Sequence, residues 1–230
     1  TPTPSHVPLL DGLILPFQIA DSYDEANKSY GGLSFAGRSV IRAYGATVET
    51  GWTPPSIPGG KKSADLYLEV VPGTILIAAV SGTVRLQRQE LKDHDIEDPE
   101  GIYKFDWELV IKPDGRSYYS IVYDHMVDML VEDGQSVEQG QQLGKAAPAR
   151  IRHEGGWWVK QPIDEFEWGI RRHVGPNWEQ SGGGPPWTIC PESTLIPEHR
   201  EFLKRVLKKM KELDFPSGES TCLLAEFRRS

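Results

Sequence analysis

Long apolar runs are missing from this sequence. The longest, Ile75 to Val80, is six residues, far short of the roughly 20 that a membrane-spanning helix needs. Basic runs are missing too. The 25 Lys and Arg are outnumbered by 33 Asp and Glu, for a net charge of −8, which disfavours sequence-independent binding to nucleic acid or an anionic membrane surface. Cysteine is scarce: Cys190 and Cys222 are the only two, too few for a disulfide framework. They read either as two buried thiols or, in an exported chain, as one bridge. An initiator Met is also lacking, and the chain opens Thr1-Pro2-Thr3-Pro4-Ser5. Proline fixes φ and cannot donate to a sheet, so residues 1–12 read as an extended linker. Such linkers follow a cleaved signal peptide or a lipid-anchored Cys. The expected location is therefore extracellular or in the cell envelope, with a leader or anchor removed.

What the sequence has in quantity is turn formers, Gly 23 and Pro 18, which favour many short strands over long helices. From Asp65 onward the period is two: Leu66, Leu68 and Val70 alternate with Asp65, Tyr67 and Glu69, as in a half-buried strand. Further strands are predicted over Thr74–Val80, Thr83–Gln89, Phe105–Ile111 and Arg116–Tyr123, with Pro113-Asp114-Gly115 as a hairpin turn between the last two. On the returning strand, parity puts Tyr119, Ile121, Tyr123 and His125 on one face. Another strand, Ile163–Ile170, carries Glu165 and Glu167 on one face and Phe166, Trp168 and Ile170 on the other. The Leu13–Phe17 stretch reads as an edge strand and the Thr221–Phe227 stretch as a last strand. One helix is predicted after Pro197, with Leu203, Val206, Leu207, Met210 and Leu213 as its packing stripe. The fold class is mainly β.

Two stretches carry a family resemblance. Tyr123-Asp124-His125-Met126, followed by Val131-Glu132-Asp133-Gly134 and on to Leu143-Gly144, is similar to the Tyr-x-His-Leu step and glycine-punctuated hairpin of the lysostaphin-type (LytM-like) zinc endopeptidases that cut peptidoglycan cross-links. Upstream, Gly73-Thr74-Ile75 through Gly82-Thr83-Val84 resembles that family's Gly-Thr-Pro-Val pair of strands. The half-motifs also occur in biotinyl- and lipoyl-type sandwiches, but the hairpin tip here has no Lys to modify. The resemblance implies an antiparallel β-sandwich of the duplicated hybrid-motif type with an added C-terminal helix. It also implies one domain over 13–230: an N-terminal extension (13–59), a LytM-like core (60–172), and a Trp- and Gly-rich loop, helix and last strand (173–230).

The family's chemistry needs zinc held by a His-x-x-x-Asp strand and the second His of a His-x-His strand. Counted back from Gly73-Thr74, the His-x-x-x-Asp positions fall on Ser63 and Tyr67; the His-x-His positions, just before an apolar residue in the last core strand, fall on Glu165 and Glu167. A hydroxyl and a phenol are poor zinc ligands near neutral pH. His125 survives at the position that in active relatives polarises the scissile group. The resemblance therefore implies a pseudoenzyme with no metal or other cofactor. Its groove would be lined by Ser63, Tyr67, Glu165 and Glu167, with Asp65, Glu69 and Tyr123 nearby. Its partner would be a cell-wall glycan or peptide, or an envelope protein. Degenerate members of the family activate cell-wall amidases, a role the resemblance allows. The alternative is an active hydrolase: a metallopeptidase using an oxygen-rich set such as Asp65, His125 and Glu167, or a glycosidase using Glu165 and Glu167.

Overall fold

The computed structural model of the chain describes residues 10–37, 40–44, 47–48, 61–62, 65–90, 105–115, 118–152, 158–173, 187–223 and 226–228. Six two-residue strands lead in: β1 (Tyr23–Asp24), β2 (Ser29–Tyr30), β3 (Leu33–Ser34), β4 (Ile41–Arg42), β5 (Thr47–Val48) and β6 (Lys61–Lys62). The main sheet follows with β7 (Leu66–Val70), β8 (Ile75–Ile77), β9 (Gly82–Glu90), β10 (Phe105–Pro113), β11 (Tyr119–Val127), β12 (Ser136–Val137), β13 (Gln142–Arg152) and β14 (Trp158–Arg172). The chain closes with β15 (Trp187–Ile189), α1 (Pro197–Glu212) and β16 (Glu226–Arg228). The strands pair antiparallel, and fourteen of them join one hydrogen-bonded array whose main path runs β1-β2-β3-β7-β14-β13-β11-β10-β9-β12. The architecture is mainly antiparallel β with one C-terminal helix, as expected.

Alternation builds the core. Leu66 and Leu68 of β7, Leu109 and Ile111 of β10, Tyr119, Ile121 and Tyr123 of β11, and Phe166, Trp168 and Ile170 of β14 are all buried. The Tyr123 hydroxyl is satisfied inside the core: it accepts from the Ala79 amide at 2.7 Å and donates to the Ile77 carbonyl at 3.2 Å. Tyr123 is therefore a core residue and not a groove residue. Pro197 opens α1 with its missing N–H at a position that has no intrahelical partner. Phe202, Leu203, Val206, Leu207 and Met210 bury the helix stripe, while Leu213, beyond the last turn, stays 37% exposed. Phe202 meets Phe17 and Tyr30 edge-on at 6.3 and 5.5 Å, so residues before β4 share the core with the helix.

The strands expected at Leu13–Phe17 and Thr221–Phe227 come out differently. Leu13 makes a single parallel bridge to Leu195, and Leu13, Leu15 and Phe17 serve as core side chains, because Pro16 interrupts any ladder. Near the C-terminus, Cys222 makes a parallel bridge to Tyr44, and among the described residues the strand is Glu226–Arg228. Cys190 and Cys222 are joined by a disulfide. Of the tryptophans clustered late in the sequence, Trp168 is core and Trp187 is half-buried beneath Arg172. Trp157 and Trp178 lie outside the described residues. No helix among the described residues is long and apolar enough to cross a membrane.

Candidate ligand-binding site

Register places the site. Arg42 of β4 lies opposite Tyr67 of β7, Tyr67 opposite Glu167 of β14, and Glu167 opposite Asp124 of β11. Four polar residues thus form one row across four strands, at about 4.8 Å per step. Glu165, two residues from Glu167, shares its face. The Tyr67 hydroxyl donates a short hydrogen bond to the Glu165 carboxylate. Burial and the neighbouring Glu165 charge push the Tyr67 phenol far above its ordinary range, so it stays protonated. The Arg42 guanidinium lies 4.2 Å from the centre of the Tyr67 ring and pairs with Glu167 at 3.3 Å. Burial raises the Glu167 carboxyl against the lowering effect of His125.

His125 closes the row, but not as strand parity predicts. Leu109 of β10 faces Tyr123 and Trp107 faces Met126, so Asp124 and His125 together stand opposite Glu108. This extra residue is a β-bulge, and His125 takes a left-handed conformation with φ of 62°. Parity inverts across it. Met126 goes into the core and His125 comes out, with 30% of its side chain exposed. Asp106 keeps the regular register of β10 with β9 and shares a face with Glu108, on the side to which His125 emerges. The Asp106 carboxylate is fully buried and accepts from His125 Nδ1 at 2.7 Å. Asp124 accepts from the His125 amide at 2.8 Å and from Gln89 Nε2 at 3.1 Å.

The other sequence candidates are structural. Asp65 is buried against Arg171 at 2.6 Å. Glu69 accepts from the Val40 amide at 2.9 Å and fixes the entry to β4. Ser63 lies outside the described residues. A metal set of Asp65, His125 and Glu167 is not assembled, since Arg171 holds Asp65. The described residues with three donor atoms mutually within 4.8 Å are Asp106, Asp124 and His125. Neither Asp106 nor Asp124 was read from the sequence as a site residue. The positions that the sequence resemblance assigns to metal ligands do not fit zinc: Tyr67 offers a protonated phenol where a carboxylate is needed, and Glu167 a carboxylate already paired with a guanidinium where an imidazole is needed. The Asp106–His125 contact is that of a hydrogen bond, closer than the ~3.3 Å separating two ligands of one tetrahedral zinc with bonds near 2.0 Å.

Electrostatics make His125 a standing cation. Burial opposes its charge, but the Asp106 hydrogen bond and the charges of Asp124, Asp106 and Glu167 outweigh it, and its pKa rises from 6.5 to about 9. His173 goes the other way. Burial, Arg171 and Lys112 bring it down to about 4, and its neutral ring is bonded to the Ser120 hydroxyl at 2.8 Å. The stability from His125 is fully present below its unfolded value and is lost as pH rises through about 9. That from His173 is present above the unfolded value and is lost as pH falls through about 4. A ring-NMR titration of His125 is expected to give a midpoint well above 6.5 that falls in Asp106→Asn. A wild-type midpoint at or below 6.5 would contradict this.

No protein-family model matches the chain, and no curated protein matches it. Solved structures do. The chain is similar to the catalytic domain of the antimicrobial peptidase lysostaphin from Staphylococcus simulans, with 15% identity over 59% of this chain and 81% of that one, and a TM-score of 0.36. It is similar to Csd3 from Helicobacter pylori, with 13% identity over 89% of this chain and 42% of that one, and a TM-score of 0.42. It is also similar to the catalytic domain of the prophage-encoded M23 protein EnpA from Enterococcus faecalis, with 20% identity over 64% and 89% and a TM-score of 0.35. At these values they are distant likenesses in the course of the chain, and no activity, ligand or partner carries over from them.

Proposed function

We propose that the chain is a non-catalytic, LytM-like module of the cell envelope. On this reading it binds a peptidoglycan or other glycan fragment, a peptide or a partner protein along the row from Arg42 to His125. One observation carries the reading: the positions that the sequence resemblance assigns to metal ligands are taken by the Tyr67–Glu165 bond and the Arg42–Glu167 pair. A water-activating metal there would have to displace a cation and deprotonate a phenol whose pKa is raised. His125 is retained beside this network as an imidazolium, a donor for a polar ligand. A disulfide suits an oxidising compartment and so supports export. The rival reading, an atypical metallohydrolase, draws support from the Asp106, Asp124 and His125 set.

Ligand binding is tested by NMR. Adding soluble peptidoglycan fragments at millimolar concentration is expected to shift the ring resonances of His125 and the resonances of Glu167. His125→Gln is expected to weaken the response at Glu167. Unchanged spectra at His125 and Glu167 would leave the network a structural feature and overturn the binding reading.

A further inference from the structure

We propose that Tyr67, Glu165 and Glu167 form a box for a guanidinium or ammonium group, and that Arg42 is its occupant in cis, displaced when the cationic group of a ligand enters. The inference deepens the binding reading above and rests on it for the source of the natural ligand. The box has two walls. Tyr67 offers a ring face that Glu165 holds in place through the hydroxyl, and Glu167 offers a carboxylate 27% exposed to solvent. An aromatic face beside a carboxylate selects cations over neutral groups of the same shape.

Arg42 fills this box imperfectly. It makes one contact with Glu167, at 3.3 Å, and a third of its side chain is exposed. Its Nε is buried and finds no hydrogen-bond partner among the described residues. The backbone leaves little room to improve this fit. On one side, the Glu69 carboxylate holds the Val40 amide at 2.9 Å, and Val40 sits at φ of 53°, a conformation rare for a β-branched residue. On the other, the Tyr44 amide donates to Thr221 at 3.0 Å, the Leu223 amide donates to Tyr44 at 2.9 Å, and the Tyr44 hydroxyl donates to the Thr188 carbonyl at 2.7 Å. The Cα of Arg42 is thereby pinned between two anchors. Exchange for another cation needs only rotation of the Arg42 side chain into solvent, with no movement of strand β4. A free guanidinium, without that tether, can use all of its donors.

The test uses ethylguanidinium as probe and ethylurea as its neutral isostere, titrated into the isotope-labelled protein and read at Tyr67 and Glu167. If Arg42 fills the box nine-tenths of the time, Arg42→Ala binds ethylguanidinium about tenfold more tightly than the wild type. Arg42→Lys, which keeps the charge, is expected to bind it as weakly as the wild type. Adding Glu167→Gln to Arg42→Ala is expected to abolish the gain. Equal affinity in wild type and Arg42→Ala, a Lys variant that binds like the Ala variant, or ethylurea binding as well as ethylguanidinium would each overturn the proposal. Thermal unfolding of each variant confirms that it is folded. If peptidoglycan fragments bind while the ethylguanidinium results fail, the box alone is lost. If the ethylguanidinium results hold while the fragments do not bind, the box stands and the envelope ligand is lost.

Discussion

Gly169→Ala is expected to destabilise the protein by about 3–5 kcal/mol, the range for breaking a buried ion pair. Gly169 lies on β14 between Glu167 and Arg171, and a Cβ built there would fall inside the Asp65 carboxylate and against the Arg171 guanidinium. These two groups pass over the bare glycine to meet at 2.6 Å, with side chains only 11% and 5% exposed. An alanine methyl forces them apart and leaves two buried charges without their best partner. The cost therefore comes from electrostatics as well as from crowding, and a mutant cycle separates the two. Replacing the pair together, Asp65→Leu with Arg171→Met, removes both charges at once and is expected to cost far less than either change alone. In that background Gly169→Ala is expected to cost less than in the wild type, by an interaction energy of about 1–3 kcal/mol. Urea denaturation of the four proteins checks it. Equal costs in the two backgrounds would show that the cost does not come from the ion pair.

Reducing the disulfide, or making Cys190→Ala with Cys222→Ala, is expected to cost about 3–4 kcal/mol in the chain-entropy account. The bridge spans 32 positions of sequence and encloses the whole of α1. For a protein of this size that corresponds to a fall in Tm of about 6–16 °C. The native arrangement is expected to persist below the lowered Tm, because a second clamp stands beside the bridge. The Glu192 carboxylate accepts from the Thr221 amide at 3.0 Å, from its hydroxyl at 2.6 Å, and from the Ser220 hydroxyl at 2.8 Å. Calorimetry with and without reductant checks this, and an unchanged Tm would contradict it.

The core was legible in the sequence where periodicity held without interruption. β7, the β10–β11 hairpin and the α1 stripe follow directly from alternation, from Pro113-Asp114-Gly115, and from Pro197. The site was legible only in part, for two physical reasons. The first is the bulge. One extra residue at Asp124–His125 inverts parity and brings out, beside Asp106, a histidine that alternation sends to the same side as Tyr123. The one hint was Met126, an apolar residue following His125 where alternation calls for a polar one. The second is that Arg42 comes from a stretch with no usable period. Its two-residue strand is held by Glu69, by Tyr44 and by pairing to β7, contacts made far along the chain. Tyr67, Glu165, Glu167 and His125 were identified from the resemblance. Their partners Arg42, Asp106 and Asp124 could not be, since register and a bulge bring them there.

The central claim of the proposed reading, that the positions assigned to metal ligands by the sequence resemblance hold a protein-filled polar network, is tested most directly by zinc stoichiometry. The purified protein is equilibrated with excess zinc, dialysed extensively, and assayed by atomic spectroscopy. The Tyr67–Glu165 bond and the Arg42–Glu167 pair predict well under one equivalent of zinc per chain. Retention of close to one equivalent, lost in His125→Ala, would contradict the account and show a metal site built on His125.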